Sequence, residues 1–205
     1  MRSFISKRYL SIAVLILALG GLVGCDYETR AVGGANSVRA VKMNQDLRDL
    51  WLGHIYWVQH AVLYNAAKSL AERDVAEKEV VANAKQIANT VTPFYGEARS
   101  GQLFALLVGH VAALKEYSEA TVAGNTRLQD AALTGLASNA DHLTKDTVPG
   151  LISAHVANHV LQVNQYKKKE YAKLEETWPM MRQHVYLIAD TLTTALVKQF
   201  PDKFS

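Results

Sequence analysis

A chain of 205 residues, 49% hydrophobic and 20% charged, is long enough to fold as one domain around a sizeable core. Three of its 22 basic residues, Arg2, Lys7 and Arg8, fall in the first 24 positions, so residues 25–205 set 19 Lys plus Arg against 19 Asp plus Glu. That balance excludes the basic stripe on which nucleic-acid binding depends, and a single cysteine excludes any disulfide framework within the chain.

The first 24 residues read as an export signal: a basic start, an apolar run from Tyr9 to Val23 and a small residue, Gly24, before Cys25. The run is short for a membrane-spanning helix, which needs about 20 apolar residues. Leu22-Val23-Gly24-Cys25 resembles the bacterial lipobox, in which the cysteine is acylated and becomes the new N-terminus. The expected mature protein is therefore a lipoprotein, carrying diacylglycerol and palmitate-type chains on Cys25, anchored in a membrane and facing the periplasm or the exterior. Asp26 directly after the cysteine resembles a signal for retention in the inner membrane. Residues 25–40, with Gly33-Gly34 and no apolar period, read as a lipidated tether.

From residue 41 to 205 the apolar residues recur at spacings of three and four, the period of helices, and strand signals are nearly absent. A first helix is expected from about Met43 to Arg73. A second is expected from Asp74, as N-cap with Glu77 as its capping-box partner, to Thr92-Pro93. Pro93-Phe94-Tyr95-Gly96 marks a turn or kink. A third helix is expected over about 99–122, closed by Ala123-Gly124-Asn125, and a fourth over about 126–145. Pro149-Gly150 is a break. A fifth helix is expected over 151–168 and a sixth over 171–199, with Pro179 either kinking the last or marking its true start and Pro201 stopping it. The fold class is all-α: an up-and-down bundle of four main helices with one or two extra or kinked segments.

One pattern recurs: an apolar residue, then His three positions on, a β-branched residue, and a further apolar residue four after the His. It reads Trp51…His54-Ile55…Val58, Leu107…His110-Val111…Leu114, Val156…His159-Val160…Val163 and Met181…His184-Val185…Ile188. Such spacing puts each histidine on the apolar stripe of its helix, near the middle of its length. In a bundle, rings at matched heights on four helices converge, and bundle cores are where metal and cofactor sites are built. His155 adds an i, i+4 pair with His159, able to chelate one ion. The candidate metal ligands are thus His54, His110, His155, His159 and His184. Glu97, Tyr95 and Asp190 are candidates to accept the second ring N–H of a ligand. Imidazole suits zinc, copper and iron, and two facing rings suit b-type haem. Against this stands the structural alternative, in which a core histidine simply bonds a carbonyl or hydroxyl.

Other chemistries lack their signatures. Glu-x-x-His, Cys-x-x-Cys-His, His-Glu-x-x-His, Gly-x-Ser-x-Gly and phosphate-binding glycine loops are all missing, so enzymatic activity is not the expectation. The aromatic residues Trp51, Tyr56, Trp57 and Tyr64 of the first helix, and Trp178, Tyr186 and Phe200 of the last, read mainly as core.

Leu50-Trp51-Leu52-Gly53-His54-Ile55-Tyr56-Trp57 resembles the Leu-Trp-x-x-His-x-x-Trp first helix of an uncharacterised family of bacterial helical-bundle proteins. The resemblance extends over Asn83…Ile87…Asn89…Pro93-Phe94-Tyr95-Gly96, Leu106-Leu107-Val108-Gly109-His110-Val111, and the tail Ala189-Asp190…Gln199-Phe200-Pro201-Asp202-Lys203-Phe204. It implies a helical bundle and singles out His54, Asn83, Tyr95, His110, His159 and Asp190. The chain departs from that pattern at Ala84, where the family tends to have glutamine, and at Ala88, where it tends to have glycine.

The residues support two functional expectations. In the first, a membrane-anchored lipoprotein binds a transition metal or haem through core histidines, as a sensor, carrier or store in the envelope. In the second, a cofactor-free envelope module engages a protein partner and its histidines are structural.

Overall fold

The computed structural model describes residues 37–144 and 150–205; the export signal, Cys25, Asp26, most of the tether and Pro149 lie outside the described residues. Among the described residues the fold is all-α: α1 (Val38–Ala66), α2 (Leu70–Asn89), α3 (Thr92–Ala123), α4 (Thr126–Thr144), α5 (Leu151–Lys168) and α6 (Tyr171–Gln199), then a short 3-10 turn, Pro201–Lys203. None of these helices is long and apolar enough to cross a membrane.

The helices pair as three antiparallel hairpins, α1–α2, α3–α4 and α5–α6, and the three turns are built alike. Lys68, Gly124 and Lys169 each take a left-handed conformation, with φ of 60°, 72° and 59°. The residue after each donates its N–H back into the helix just ended: Ser69 to Tyr64 O, Asn125 to Ala120 O and Glu170 to Gln165 O. This 6→1 bond is the Schellman closure, which satisfies carbonyls that a helix end would otherwise leave open. Only Gly124 is the residue that such a turn favours. The left-handed region costs a side-chain-bearing residue about 1 kcal/mol or more, so Lys169→Gly is expected to raise stability by up to about 1 kcal/mol, read from urea unfolding.

This construction explains where the first turn differs from the sequence expectation. Asp74 and Glu77 were expected to begin α2 but lie inside it, where they pair with Arg73 at 3.1 and 3.4 Å, and Glu77 also holds Lys115 at 2.7 Å. The turn falls earlier, at Ala67-Lys68-Ser69, where no glycine marks it. Similarly, α1 starts at Val38 rather than Met43, because the Ser37 hydroxyl accepts from Ala40 N at 3.1 Å. Ala40 is buried there against Leu196, Val197 and Phe204. The break expected at Pro93–Gly96 is centred on Gly96, whose φ of 79° and ψ of 172° interrupt α3 in a region open only to glycine. Helix α6 begins at Tyr171 and continues through Pro179.

The hairpins repeat in their cores as well. Buried Trp51, Leu107 and Ile152 occupy matching places on the first helices of the three hairpins, as Val80, Leu136 and Met181 do on the second. One bond recurs across each hairpin between residues 33 positions apart: Asn83 Nδ2 to Leu50 O, Asn139 Nδ2 to Leu106 O and His184 Nε2 to Leu151 O, all at 2.9 Å. Gly53 and Gly109 leave room for the two asparagines; a Cβ at either would meet the amide nitrogen at 3.2 Å. The fold is thus a threefold repetition of one helical hairpin, and its register decides which histidines meet.

Candidate metal centre

In each hairpin a histidine follows the bonded carbonyl by one helical turn: His54 after Leu50, His110 after Leu106 and His155 after Leu151. The repeat therefore delivers three rings to one level, from α1, α3 and α5. A fourth comes from His159, one turn beyond His155 on α5. All four side chains are buried, none more than 2% exposed. One ring nitrogen from each can be chosen so that the four lie within 4.8 Å of one another.

The arrangement is tetrahedral. The six ring-centroid distances are 6.1, 5.5 and 5.8 Å from His54 to His110, His155 and His159, then 5.7 and 5.9 Å from His110 to His155 and His159, and 4.4 Å between His155 and His159. Four rings at the corners of a square would have two diagonals about 1.4 times its sides; no such pair exists here. Four imidazoles bound tetrahedrally at about 2.0 Å would have their centroids about 5 Å apart, close to the observed spacing.

Hydrogen bonding separates these histidines from the rest. The other three in the chain each contact a carbonyl: His60 Nδ1 with Tyr56 O at 2.8 Å, His142 Nδ1 with Ser138 O at 2.6 Å and His184 Nε2 with Leu151 O at 2.9 Å. Of the core four, His155 Nε2 and His159 Nε2 meet each other at 3.0 Å. The remaining six ring nitrogens, both of His54, both of His110 and Nδ1 of His155 and His159, have no partner. An orphaned buried polar group costs about 1–3 kcal/mol, so a cluster of them calls for an explanation.

Burial also fixes their charge. It pushes His54 down to about 3, helped by neighbouring His110, and pushes His110 down to about 4. His155 and His159 are held well below the usual imidazole range, by burial first and by the neighbouring rings second, with the Gln162 side chain opposing the shift at His159. All four are neutral at pH 7 and offer lone pairs, the form in which imidazole binds a metal.

The remaining candidates stand apart. His184 is the third-hairpin counterpart of Asn83 and Asn139; its ring lies parallel to that of His155 at 6.0 Å, with its Nε2 spent on the backbone. Glu97 is exposed. Tyr95 is exposed, and its hydroxyl donates to Gln199 Oε1. Asp190 accepts from Arg48 Nε and Nη2, both at 2.7 Å, and from Asn44 at 2.8 Å, so its carboxylate secures α6 to α1. None of the three accepts from a core histidine. Asn83, singled out through the resemblance, acts on the Leu50 carbonyl. The tail closes the end of the bundle, with Phe94 stacked on Phe204 at 5.5 Å and near Phe200 at 5.3 Å.

His54 and His110, 6.1 Å apart, have about the spacing of two imidazoles on opposite faces of one iron, but His155 (5.5 and 5.7 Å) and His159 (5.8 and 5.9 Å) lie midway between them, in the plane that a porphyrin would fill. The geometry suits one small ion. No protein-family model matches the chain, and neither a curated protein nor a solved structure matches it.

Proposed function

We propose that this protein is an envelope lipoprotein, anchored through Cys25, whose up-and-down helical bundle holds one transition-metal ion in a tetrahedral cage of His54, His110, His155 and His159. The observation that carries the reading is the convergence of four neutral, fully buried imidazoles, six of whose ring nitrogens have no partner. An ion at the centre would take one lone pair from each ring. Three helices supply the four ligands, so binding would tie the three hairpins together.

The protein's task in this reading is to hold metal, as carrier, store or sensor. Structural metal sites are filled by protein ligands, whereas catalytic ones keep a position for water or substrate. Four protein ligands complete a tetrahedral shell, which argues against an enzyme. The anchor would place this function on the periplasmic or outer side of a membrane, the inner membrane being favoured by Asp26.

The test is elemental analysis of the full chain, purified in detergent without chelator. The expected result is one metal ion per chain, lost in His54→Leu and in His110→Leu and retained in His184→Gln. Native protein that stays below a tenth of an equivalent after incubation with zinc and with copper refutes the reading.

A further inference from the structure

We infer that the cage is selective for a monovalent ion, Cu(I), over divalent zinc. The inference rests on the four-histidine reading above and adds to it the charge of the ion. Among the described residues the centre draws on no carboxylate or thiolate, so its ligand set has no charge. A divalent ion would place two uncompensated charges in this core, and a monovalent ion one. The cost of burying charge in a low-dielectric interior grows with the square of the charge, so the dication's desolvation is about four times as unfavourable.

Proteins commonly spread a dication's charge by letting the outer N–H of each ligand histidine bond to a carboxylate or carbonyl. Among the described residues no carboxylate or backbone carbonyl does so; the one polar side chain beside a ligand ring is the uncharged amide of Gln162, next to His159. The unpartnered nitrogens of His54, His110, His155 and His159 include both nitrogens of two of the rings. Apolar side chains flank the cage one helical turn away in either direction, the exception being the neutral carboxamide of buried Gln162 beside His159. On one side Trp51, Leu107 and Ile152 separate the cage from a cavity of about 120 Å³ whose further walls include Leu47, Ile188 and Leu192. On the other lie Val58 and Leu114, beside a smaller space of about 30 Å³. Glu77 reaches that smaller space, but its carboxylate is held by Lys115 at 2.7 Å and Arg73 at 3.4 Å. Asp190 is committed to Arg48.

Geometry points the same way. Cu(I) and Zn(II) both have filled d shells, so neither resists a tetrahedral set of donors, and imidazole suits both metals, whereas Cu(II) and Ni(II) prefer tetragonal or square-planar sites. The six ring separations, which include no pair of long diagonals, disfavour the latter pair. Between the two ions that fit the shape, charge decides for Cu(I).

The experiment uses the full chain in detergent, stripped of metal and kept anaerobic. It is loaded with one equivalent of Zn(II) or of Cu(I) and challenged with the other ion, with a chromophoric chelator reporting free Cu(I). The expected result is that one equivalent of Cu(I) displaces more than nine-tenths of the zinc, while a tenfold excess of Zn(II) displaces less than a tenth of the copper. His159→Asp, which introduces one negative charge into the shell, should shift the Zn(II)-to-Cu(I) affinity ratio toward zinc by at least tenfold. Zinc retained against Cu(I) by the native chain overturns the inference and leaves the metal centre standing. Failure to hold either ion overturns both. Should His159→Asp not fold, the native competition decides alone.

Discussion

Taken from pH 7 to pH 5, the metal-free protein should lose about 8 kcal/mol of folding stability, enough to unfold a typical domain. The expectation follows from four neutral rings in a core that rejects their charge. A histidine in the unfolded chain takes up a proton near pH 6.5. In the folded chain, burial pushes His54 to about 3 and His110 to about 4, and holds His155 and His159 well below the usual range. Well above pH 6.5 both states are neutral, and these groups give no pH dependence. Below it the unfolded state binds protons that the folded state refuses, so stability falls as the pH falls. Each ring contributes about 1.4 kcal/mol per pH unit, and the four together a limiting slope of about 5 kcal/mol per unit. The slope for His110 levels off only near pH 4, where the folded state can also be protonated at that ring. Urea unfolding followed by circular dichroism between pH 8 and pH 5 measures the slope. His110→Leu should lower it by about a quarter, because one of the four protons is removed. Stability that stays level over this range would mean that the rings are not buried neutral.

The sequence carried the helices more plainly than the register of their histidines. Periodicity was enough to place α5 and α6, and Gly124 marked the turn after α3, because glycine is the expected residue in a left-handed closure. Lys68 and Lys169 occupy the same conformation without that signal, so the first hairpin turn was expected several residues late, at Asp74. The recurring histidine pattern was real but misaligned in its third copy. An apolar residue precedes both His155 and His159 by three or four positions, so periodicity does not distinguish them. The repeat does, because Leu151 is the counterpart of Leu50 and Leu106, and His155 follows it by one turn. The same alignment turns His184 into the equivalent of Asn83 and Asn139. Its stripe position is genuine, yet its ring serves the Leu151 carbonyl at 2.9 Å. Matching separations in Leu50–Asn83, Leu106–Asn139 and Leu151–His184 were a signal available in the chain. Recognising it required knowing that an imidazole Nε2 and an amide nitrogen can make the same bond. The role suggested for Glu97 rested on residue type, and those for Tyr95 and Asp190 on type and the resemblance, and neither says which way a surface side chain points.

The repeat gives metal loading and ligand replacement opposite effects on stability. In the metal-free state, replacing His54 by leucine removes two orphaned ring nitrogens and supplies an apolar side chain. His54→Leu should therefore hold or raise the unfolding free energy of the stripped protein, by up to about 1–3 kcal/mol for each orphaned group removed. In the native chain, saturating metal at about a thousandfold above Kd should add about 4 kcal/mol. For a domain of this size that is a rise of roughly 8–16 °C in Tm. In His54→Leu that rise should fall to a small fraction, since three ligands from two helices, α3 and α5, no longer join all three hairpins. Differential scanning calorimetry of stripped and loaded forms of both proteins measures the four values. The signature is a crossing: the variant is at least as stable as the native chain without metal and clearly less stable with it. A His54→Leu protein that keeps the full metal-induced rise would place the ion outside the cage. A stripped variant several kcal/mol weaker than the native chain would mean that His54 has bonding partners in the metal-free core, in conflict with its two unpartnered nitrogens.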